Sequence, residues 1–309
     1  MPRILAITGG VGGAKLGLGL ATLLPADQLS FAVNTGDDFT HLGLEICPDL
    51  DTLTYTLAGV ANPEAGWGRR DETWSFMETL RTLGGESWFQ LGDRDLALHA
   101  LRTEMLRQGA TRTEVAERIA DGLGVAHPLL PMSDDPVRTT VQTVDGPLAF
   151  QHYFVRDRCA PQVKGFEFQG IESARPNPAI LDCLQQADGV VICPSNPYVS
   201  IDPLLHLPGM RDALRQAAAP VVAVSPIVGG NAIKGPTAKM MRELAVPSTA
   251  AAVAAHYGDL LDGFVLDEQD ADTRHGLPVA TVVTQTVMIT LGDRVALARA
   301  VLEFLAALA

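Results

Sequence analysis

The chain has 309 residues, 47% of them hydrophobic and 19% charged, and a formal net charge of −13. This composition is typical of a globular protein and excludes a disordered chain. The negative charge argues against binding of nucleic acid or of an anionic membrane surface, because both need a basic face. The four cysteines lack zinc-site spacing, and no apolar run is long enough to span a bilayer. We therefore expect a cytoplasmic protein that contacts neither nucleic acid nor membrane.

The start of the chain predicts a strand, a glycine-rich turn, a helix and a second strand. Residues 3–8 and 29–34 are apolar runs, and residues 14–24 between them have a helical pattern. Four more short apolar runs come late in the chain, at residues 189–193, 220–224, 264–266 and 278–283. Helical patterns lie between and after them. Such runs are typical of parallel strands that are covered on both faces.

The middle of the chain has a different pattern. Residues 71–83, 95–108 and 113–123 look helical. Residues 139–144 and 147–154 alternate between apolar and polar around Asp145-Gly146, which is typical of a β-hairpin.

From these patterns we predict an α/β fold with a Rossmann-like, doubly wound and mostly parallel sheet. No linker rich in proline or serine divides the chain, so we expect residues 1–309 to form a single composite domain. Its core is expected to cover about residues 1–60 and 176–309. A mixed helical and β insertion is expected over about residues 61–175.

The turn after the first predicted strand carries four glycines and a lysine: Gly9, Gly10, Gly12, Gly13 and Lys15. Glycines there let backbone amides approach a phosphate, and the following helix N-terminus favours an anion. The turn is not a P-loop, because Gly-Lys-Ser/Thr is missing. It also departs from the dinucleotide fingerprint, and Asn34 replaces the acidic residue that would bind a ribose. We therefore favour a phosphate or nucleotide other than NAD, the alternative being a merely tight turn.

Two further turns follow predicted strands at the same edge of the sheet. The first contains Ser195 and Asn196 between two prolines, and the second contains Gly229 and Gly230 ahead of Lys234. Ligands bind at this edge in doubly wound sheets. Each turn alone is weak evidence, since every strand end needs a turn. Together they strengthen the prediction of a nucleotide site.

Aspartates occur in four pairs: Asp37-Asp38, Asp49 with Asp51, Asp93 with Asp95, and Asp134-Asp135. Helix N-caps explain single members of these pairs. They do not explain why both members are acidic, because adjacent carboxylates repel each other. Oxygen ligands without histidine or cysteine suit Mg²⁺ bridged to phosphate, and a carboxylate can also accept a proton from an attacking alcohol. The pairs therefore predict a magnesium site, a general base, or both.

The predicted insertion contains all three tryptophans, namely Trp67, Trp74 and Trp88, and it also contains Arg94 between two aspartates. Tryptophans with nearby arginines are able to form a pocket for a flat ring. A small satellite core explains them equally well. Arg94 is interpreted either as part of an internal salt bridge or as a fork for a phosphate or a ring carbonyl.

Eight short motifs occur in order along the chain: TGGVGGAK (8–15), NTGDDF (34–39), ICPDLDT (46–52), GWGRRDETW (66–74), LGDRDL (91–96), LPMSDDP (130–136), PSNP (194–197) and SPIVG (225–229). In this combination the chain resembles the 2-phospho-L-lactate/phosphoenolpyruvate transferases of coenzyme F-420 biosynthesis. The sequences of the motifs at residues 46–52 and 66–74 are closer to those of the bacterial members. The resemblance implies a Rossmann-like fold, Mg²⁺ as the metal and a homodimer. It also implies transfer of a phosphorylated three-carbon acid from its guanosine-diphospho-linked form to the ribityl hydroxyl of the deazaflavin FO, with release of GMP.

The resemblance also implies roles for individual residues. Asp37 and Asp51 would hold Mg²⁺ or accept the hydroxyl proton, and Asp51, Arg94 and Asp134 would contact FO. The glycine turn, Lys15, Ser195 and Asn196 would hold the guanosine diphosphate part. No motif distinguishes phosphoenolpyruvate, phospholactate and phosphoglycerate, although similarity to bacterial members favours phosphoenolpyruvate.

Two other functions remain open on the sequence. One is a nonenzymatic regulator of a related Rossmann-like family that binds nucleotide-sugars, against which the aspartate pairs argue, because a pure binder needs no base. The other is an NAD-dependent dehydrogenase, which Lys15 and Asn34 disfavour.

Overall fold

The computed structural model describes residues 3–63 and 66–309, and within them seven parallel strands form the main sheet in the order β14-β13-β10-β9-β1-β2-β5. The strands are β1 (Ile4–Thr8), β2 (Leu29–Val33), β3 (Phe39–His41), β4 (Leu44–Ile46), β5 (Leu129–Pro131), β6 (Arg138–Thr143), β7 (Gly146–Ala149), β8 (Val163–Gln169), β9 (Gly189–Ile192), β10 (Val221–Val224), β11 (Ile227–Val228), β12 (Asn231–Ala232), β13 (Gly263–Asp267) and β14 (Ala280–Thr284). The α-helices are α1 (Gly10–Leu23), α2 (Pro48–Leu57), α3 (Ser75–Thr82), α4 (Asp93–Arg107), α5 (Arg112–Gly122), α6 (Pro178–Gln186), α7 (Asp202–Leu205), α8 (Met210–Gln216), α9 (Thr237–Glu243), α10 (Ala250–Tyr257) and α11 (Leu291–Leu308).

The predicted fold class is confirmed, because the main sheet is parallel and covered by helices on both faces. Every residue of β1, β9, β10 and β13 is buried, as the continuous apolar runs indicated. One face packs against α1 and α11, and the other against helices that include α6 and α10. Within residues 3–63 and 66–309, no helix is long and apolar enough to cross a membrane.

The glycine turn differs from the expected loop, because α1 begins at Gly10 and not near residue 14. Gly10 has a φ of 63°, which an L-residue rarely adopts, so the chain reverses sharply into the helix there. Gly12 and Gly13 lie inside the first turn of α1. A β-carbon at Gly12 would overlap the carbonyl oxygen of Pro194, and one at Gly13 would overlap the Thr8 hydroxyl. Close packing of helix on strand therefore explains these two glycines.

The range 61–175 does not form one continuous addition to the core. Within it, β5 pairs in parallel with β2 and forms an edge of the main sheet, with Phe31 opposite Leu129. The predicted hairpin is present as β6 and β7, but β7 ends at Ala149 and a short π-helix (His152–Arg156) follows. The strand β8 completes this smaller antiparallel sheet. Helices α3, α4 and α5 lie close to where the sequence predicted them.

Candidate active site

A cavity of about 710 Å³ opens at the carboxyl ends of the parallel strands. Its walls include residues from the turns that follow strands of the main sheet: Gly9 after β1, Asp37 after β2, Ser195 after β9, Ser225 after β10 and Thr286 after β14. Because parallel strands end at a common edge, segments that are far apart in the chain meet here. The sequence analysis predicted a site at this edge.

Two buried carboxylates, Asp37 and Asp49, lie in the wall of the cavity. Asp49 accepts hydrogen bonds from the backbone amide of Gly10 at 2.7 Å and from the side-chain amide of Asn34 at 2.9 Å. Burial raises the pKa of Asp49 to about 6. Burial, with the charge of Asp49 adding to it, holds the pKa of Asp37 well above its usual range. Among the described residues, Oδ1 of Asp37 has no hydrogen-bond partner.

These two carboxylates fit a divalent cation. In the part of the chain that the structure describes, no group of three or more histidine, cysteine, aspartate or glutamate side chains could enclose a metal ion. Mg²⁺ does not need one, since it is usually bound by one or two carboxylates together with substrate phosphates. A cation beside the two carboxylates would offset the repulsion between them.

The structure gives Asp51 a different environment from Asp37. Both oxygens of Asp51 accept hydrogen bonds from the guanidinium of Arg102, one of them at 3.1 Å, and both side chains are buried. Nη1 of Arg102 also lies 3.1 Å from Nδ1 of His99. A guanidinium nitrogen is only a donor, so Nδ1 accepts and the proton of His99 is on Nε2. Burial lowers the pKa of His99 to about 4, which agrees with a neutral ring.

Asp38 and Asp95, which belong to two of the aspartate pairs, form hydrogen bonds or ion pairs with neighbouring side chains. Asp38 accepts from the thiol of Cys47 and pairs with Arg112 at 3.1 Å, away from the cavity lining. Asp95 does line the cavity and accepts a short hydrogen bond from the hydroxyl of Tyr55. Burial raises the pKa of Asp95 to about 7.

Two residues that the resemblance assigns to FO, Arg94 and Asp134, are exposed, and neither belongs to the cavity wall. Asp134 accepts from the backbone amide and the hydroxyl of Thr113, in the first turn of α5. Asp93 accepts in the same way from the amides of Ser75 and Phe76, at the start of α3. For Asp93 and Asp134, the capping of a helix explains the position of the carboxylate.

Most of the residues expected to bind the nucleotide line the cavity. Gly9, Gly10 and Gly12 line it with Lys15, Ser195 and Asn196, whereas Gly13 is behind the wall. Lys15 donates to the carbonyl of Met288 at 2.8 Å. Its pKa is lowered by burial and by the nearby charges of Lys234 and Arg294. The hydroxyl of Ser195 donates to the carbonyl of Gly9 at 2.7 Å, so it holds the glycine turn in place.

Aromatic side chains form another part of the cavity wall. Trp67, Trp88, Phe89, Phe150 and Phe154 line the cavity, and Trp74 does not. The rings of Phe150 and Phe154 are stacked, 5.5 Å apart and 8° from parallel. Two of the three tryptophans therefore contribute to the aromatic pocket that the sequence suggested.

Sequence reasoning missed three polar residues at this site, Tyr55, His99 and Arg102. It gave no role to any histidine, yet His99 lines the cavity. A signal was present in α4, because Asp95, His99 and Arg102 are spaced by four and three residues and so share one face of the helix. A buried polar face on a helix points to a site more strongly than any of its residues alone.

Comparison with known proteins places this geometry in a family. The family model described as 2-phospho-L-lactate transferase CofD matches residues 4–290. The chain belongs to this family. A phosphoenolpyruvate transferase from Streptomyces coelicolor is 42% identical over 297 residues, which cover 94% of this chain and 93% of that protein. A protein of the same name from Thermobifida fusca is 44% identical over 285 residues, covering 88% of each chain.

The fold of the transferase also matches a solved structure. A UPF0052-family protein from Bacillus halodurans superposes with a TM-score of 0.65 and covers 98% of this chain and 99% of its own. At 16% identity this similarity shows the fold alone. The predicted resemblance to the phospholactate and phosphoenolpyruvate transferases is thus confirmed at the level of the family.

Proposed function

We propose that this transferase moves a phosphorylated three-carbon acid, phosphoenolpyruvate or 2-phospho-L-lactate, from its guanosine-diphospho-linked form to the ribityl hydroxyl of FO. GMP is the second product. The observation that carries the proposal is the shared cavity, in which Asp37 lies with the glycine turn and with an aromatic wall. The two carboxylates suit a metal-assisted phosphoryl transfer, and the aromatic wall suits a planar ring.

In the proposed reaction, the ribityl hydroxyl oxygen forms a new bond to the phosphorus that carries the acid. The bond from that phosphorus to the bridging oxygen of the diphosphate breaks, and GMP leaves with the bridging oxygen. Oδ1 of Asp37 is the proposed acceptor of the hydroxyl proton, since Asp37 lines the cavity and this atom has no hydrogen-bond partner among the described residues. Asp51 also lines the cavity, and we propose that it helps to bind the acceptor but does not take the proton, because both of its oxygens already accept from Arg102.

The start of α1 is the proposed site of the diphosphate. Amides at a helix N-terminus and the ammonium group of Lys15 attract an anion. The carboxylate of Asp49 already accepts from the Gly10 amide there, and its charge would repel a diphosphate. Mg²⁺ held by Asp37 and Asp49 would supply the positive charge that neutralises the diphosphate oxygens. The proposal includes the homodimer and the cytoplasmic location that the family resemblance implies.

The experiment is to incubate the protein with FO, Mg²⁺ and each of three guanosine-activated acids, and to follow products by mass spectrometry. We expect one acid to be transferred to FO, with one GMP released per product and with loss of turnover when a chelator removes the metal. A control reaction without FO measures hydrolysis of the donor by water. Absence of transfer from all three acids, together with tight UDP-sugar binding and no FO binding, would instead support a nucleotide-sugar-binding regulator.

A further inference from the structure

Arg158 lines the cavity next to the aromatic wall. It lies two residues after a short π-helix (His152–Arg156), and Phe154 and Val155 of that helix line the cavity with it. The segment is anchored close to the carboxylates, because the side-chain amide of Gln151 donates to the backbone carbonyl of Asp37 at 3.3 Å. Arg158 thus belongs to the segment that joins the aromatic wall to the centre of the site.

The backbone at Arg158 is strained. Arg158 has a φ of 50° and the following Cys159 a φ of 57°, so two consecutive residues with β-carbons adopt the left-handed conformation. Hydrogen bonds hold this turn, from the amide of Cys159 to the carbonyl of Tyr153 at 2.8 Å and from the amide of Ala160 to that of Asp157 at 2.9 Å. Strain that the surrounding structure maintains is concentrated at functional sites.

The charge of Arg158 has no partner in the protein. Within residues 3–63 and 66–309, no side chain or backbone group forms a hydrogen bond or ion pair with its guanidinium. Arg156, two residues earlier, is different, because it pairs with both oxygens of Asp157, at 2.8 and 3.0 Å. A strained, unpaired cation in the wall of a cavity, in a chain of net charge −13, is suited to an oxygen-rich ligand.

We propose that Arg158 binds the polar edge of the acceptor's planar ring. The inference rests on the proposed function and adds a residue that determines binding of the acceptor. The stacked rings of Phe150 and Phe154 offer a flat apolar surface, and a guanidinium in the same wall donates to carbonyl or ionised oxygens at the rim of a ring. The donor's diphosphate is proposed at the start of α1, near Lys15, whereas Arg158 follows the segment that carries Phe154, so Arg158 is assigned to the acceptor and not to the donor.

The test is a binding titration with FO alone, followed through the fluorescence of the tryptophans, two of which line the cavity. The variants are Arg158→Gln, which removes the charge, and Arg158→Gly, which also relieves the left-handed backbone. Arg156→Gln is the matched control from the same turn. We expect the Kd for FO to rise about tenfold or more in both Arg158 variants, as when a charge-assisted hydrogen bond is lost. The control should bind FO like the wild type, and KM for the guanosine-linked donor should change less than about twofold in all three.

The Arg158→Gly variant is the control for misfolding, because glycine adopts a φ of 50° without strain. This variant protein should therefore melt at or above the melting temperature of the wild type. If the wild type binds FO and both Arg158 variants bind it equally well, the role of Arg158 is wrong while the proposed function stands. If the wild type itself does not bind FO, the proposed function and the role of Arg158 fail together.

Discussion

The carboxylate of Asp49 accepts a hydrogen bond from the backbone amide of Gly10 at 2.7 Å, and this contact joins an aspartate pair to the glycine turn. In the sequence these were two separate signals, 39 residues apart. In the fold the acidic group occupies part of the helix N-terminus that would otherwise attract an anion. An anionic substrate at this place needs a counter-charge, and for this reason the metal is part of the proposed function.

Substitution of Asp37 tests the proposed base. We expect Asp37→Asn to lower kcat about 100-fold or more, since the amide cannot accept the hydroxyl proton. Stability should hold or increase, because burial and the charge of Asp49 hold the pKa of Asp37 well above its usual range and so disfavour its charged form. Single-turnover transfer rates and thermal melting measure the two effects. Asp182→Asn, at an exposed position of α6, is the control. An Asp37→Asn enzyme with wild-type turnover would remove Asp37 from the mechanism.

Arg102 is expected to be essential for stability because its removal leaves the charge of Asp51 buried and unpaired. Arg102→Met should lower the free energy of unfolding by about 3–5 kcal/mol, measured in urea. Adding Asp51→Leu should recover a large part of that loss, since the uncompensated charge is then gone. Arg215→Met breaks an exposed pair with Asp259 and should cost less than about 1 kcal/mol. If the Arg102 and Arg215 variants lose the same free energy of unfolding, the buried pair contributes no more to stability than the exposed pair.

The close approach of α1 to its neighbours predicts a large effect at Gly13. A β-carbon there would overlap the Thr8 hydroxyl and lie 2.7 Å from that of Ser195, so Gly13→Ala should destabilise the protein by about 1–3 kcal/mol. Gly122→Ala, near the end of α5, meets no atom within 4 Å and should be neutral or slightly stabilising. Urea denaturation of the two variants compares them directly. A stable Gly13→Ala protein would mean that β1 and α1 separate without cost.

The raised pKa of Asp95 predicts a pH-dependent stability. Because its folded pKa of about 7 lies above the usual value of 3.8 for an aspartate, the folded state retains a proton that the unfolded state loses. The contribution of this group is therefore favourable below about pH 4 and is lost as the pH rises towards 7. Asp95→Asn still accepts from Tyr55 but does not ionise, so it should be more stable than the wild type at pH 8 by roughly 1–3 kcal/mol.

Denaturation curves of Asp95→Asn and the wild type from pH 4 to 8 provide the measurement. The difference between the two proteins isolates Asp95, since His99, whose lowered pKa acts in the opposite direction as the pH falls, is present in both. A difference that does not vary with pH would contradict the raised pKa.

Much of the fold followed from local patterns in the chain. The buried strands β1, β9 and β10 were visible as apolar runs, and α5 was visible as a helical pattern at residues 113–123. The short strand β5 was not visible, because three residues next to two prolines carry no periodicity and depend on pairing with β2. The strand expected at residues 147–154 ends at Ala149 and is followed by a short π-helix, because alternation of apolar and polar residues does not distinguish a strand from such a helix.

For the candidate site, the sequence identified residues by type and place along the chain but not by partner. Asp37 and Asp51 were equivalent as paired aspartates, yet Arg102 reaches Asp51 from 51 residues away and leaves Asp37 without a cation. Likewise, Arg94 and Arg158 are both exposed arginines, and only Arg158 lines the cavity. Contacts between segments that are distant in the chain determine which of two similar residues lines the cavity or has a partner. A single sequence does not show these contacts.

The hydroxyl of Ser195 holds the glycine turn from a position 186 residues further along the chain. During synthesis, the glycine turn therefore emerges from the ribosome long before Ser195, which holds it. The pairing of β1 with β9 likewise forms only after β9 has been synthesised. Contacts between such distant segments form slowly, because a large loop must close first. The nucleotide side of the site should thus be among the last parts of the molecule to become ordered, and a nascent chain that ends before β9 would have no competent glycine turn.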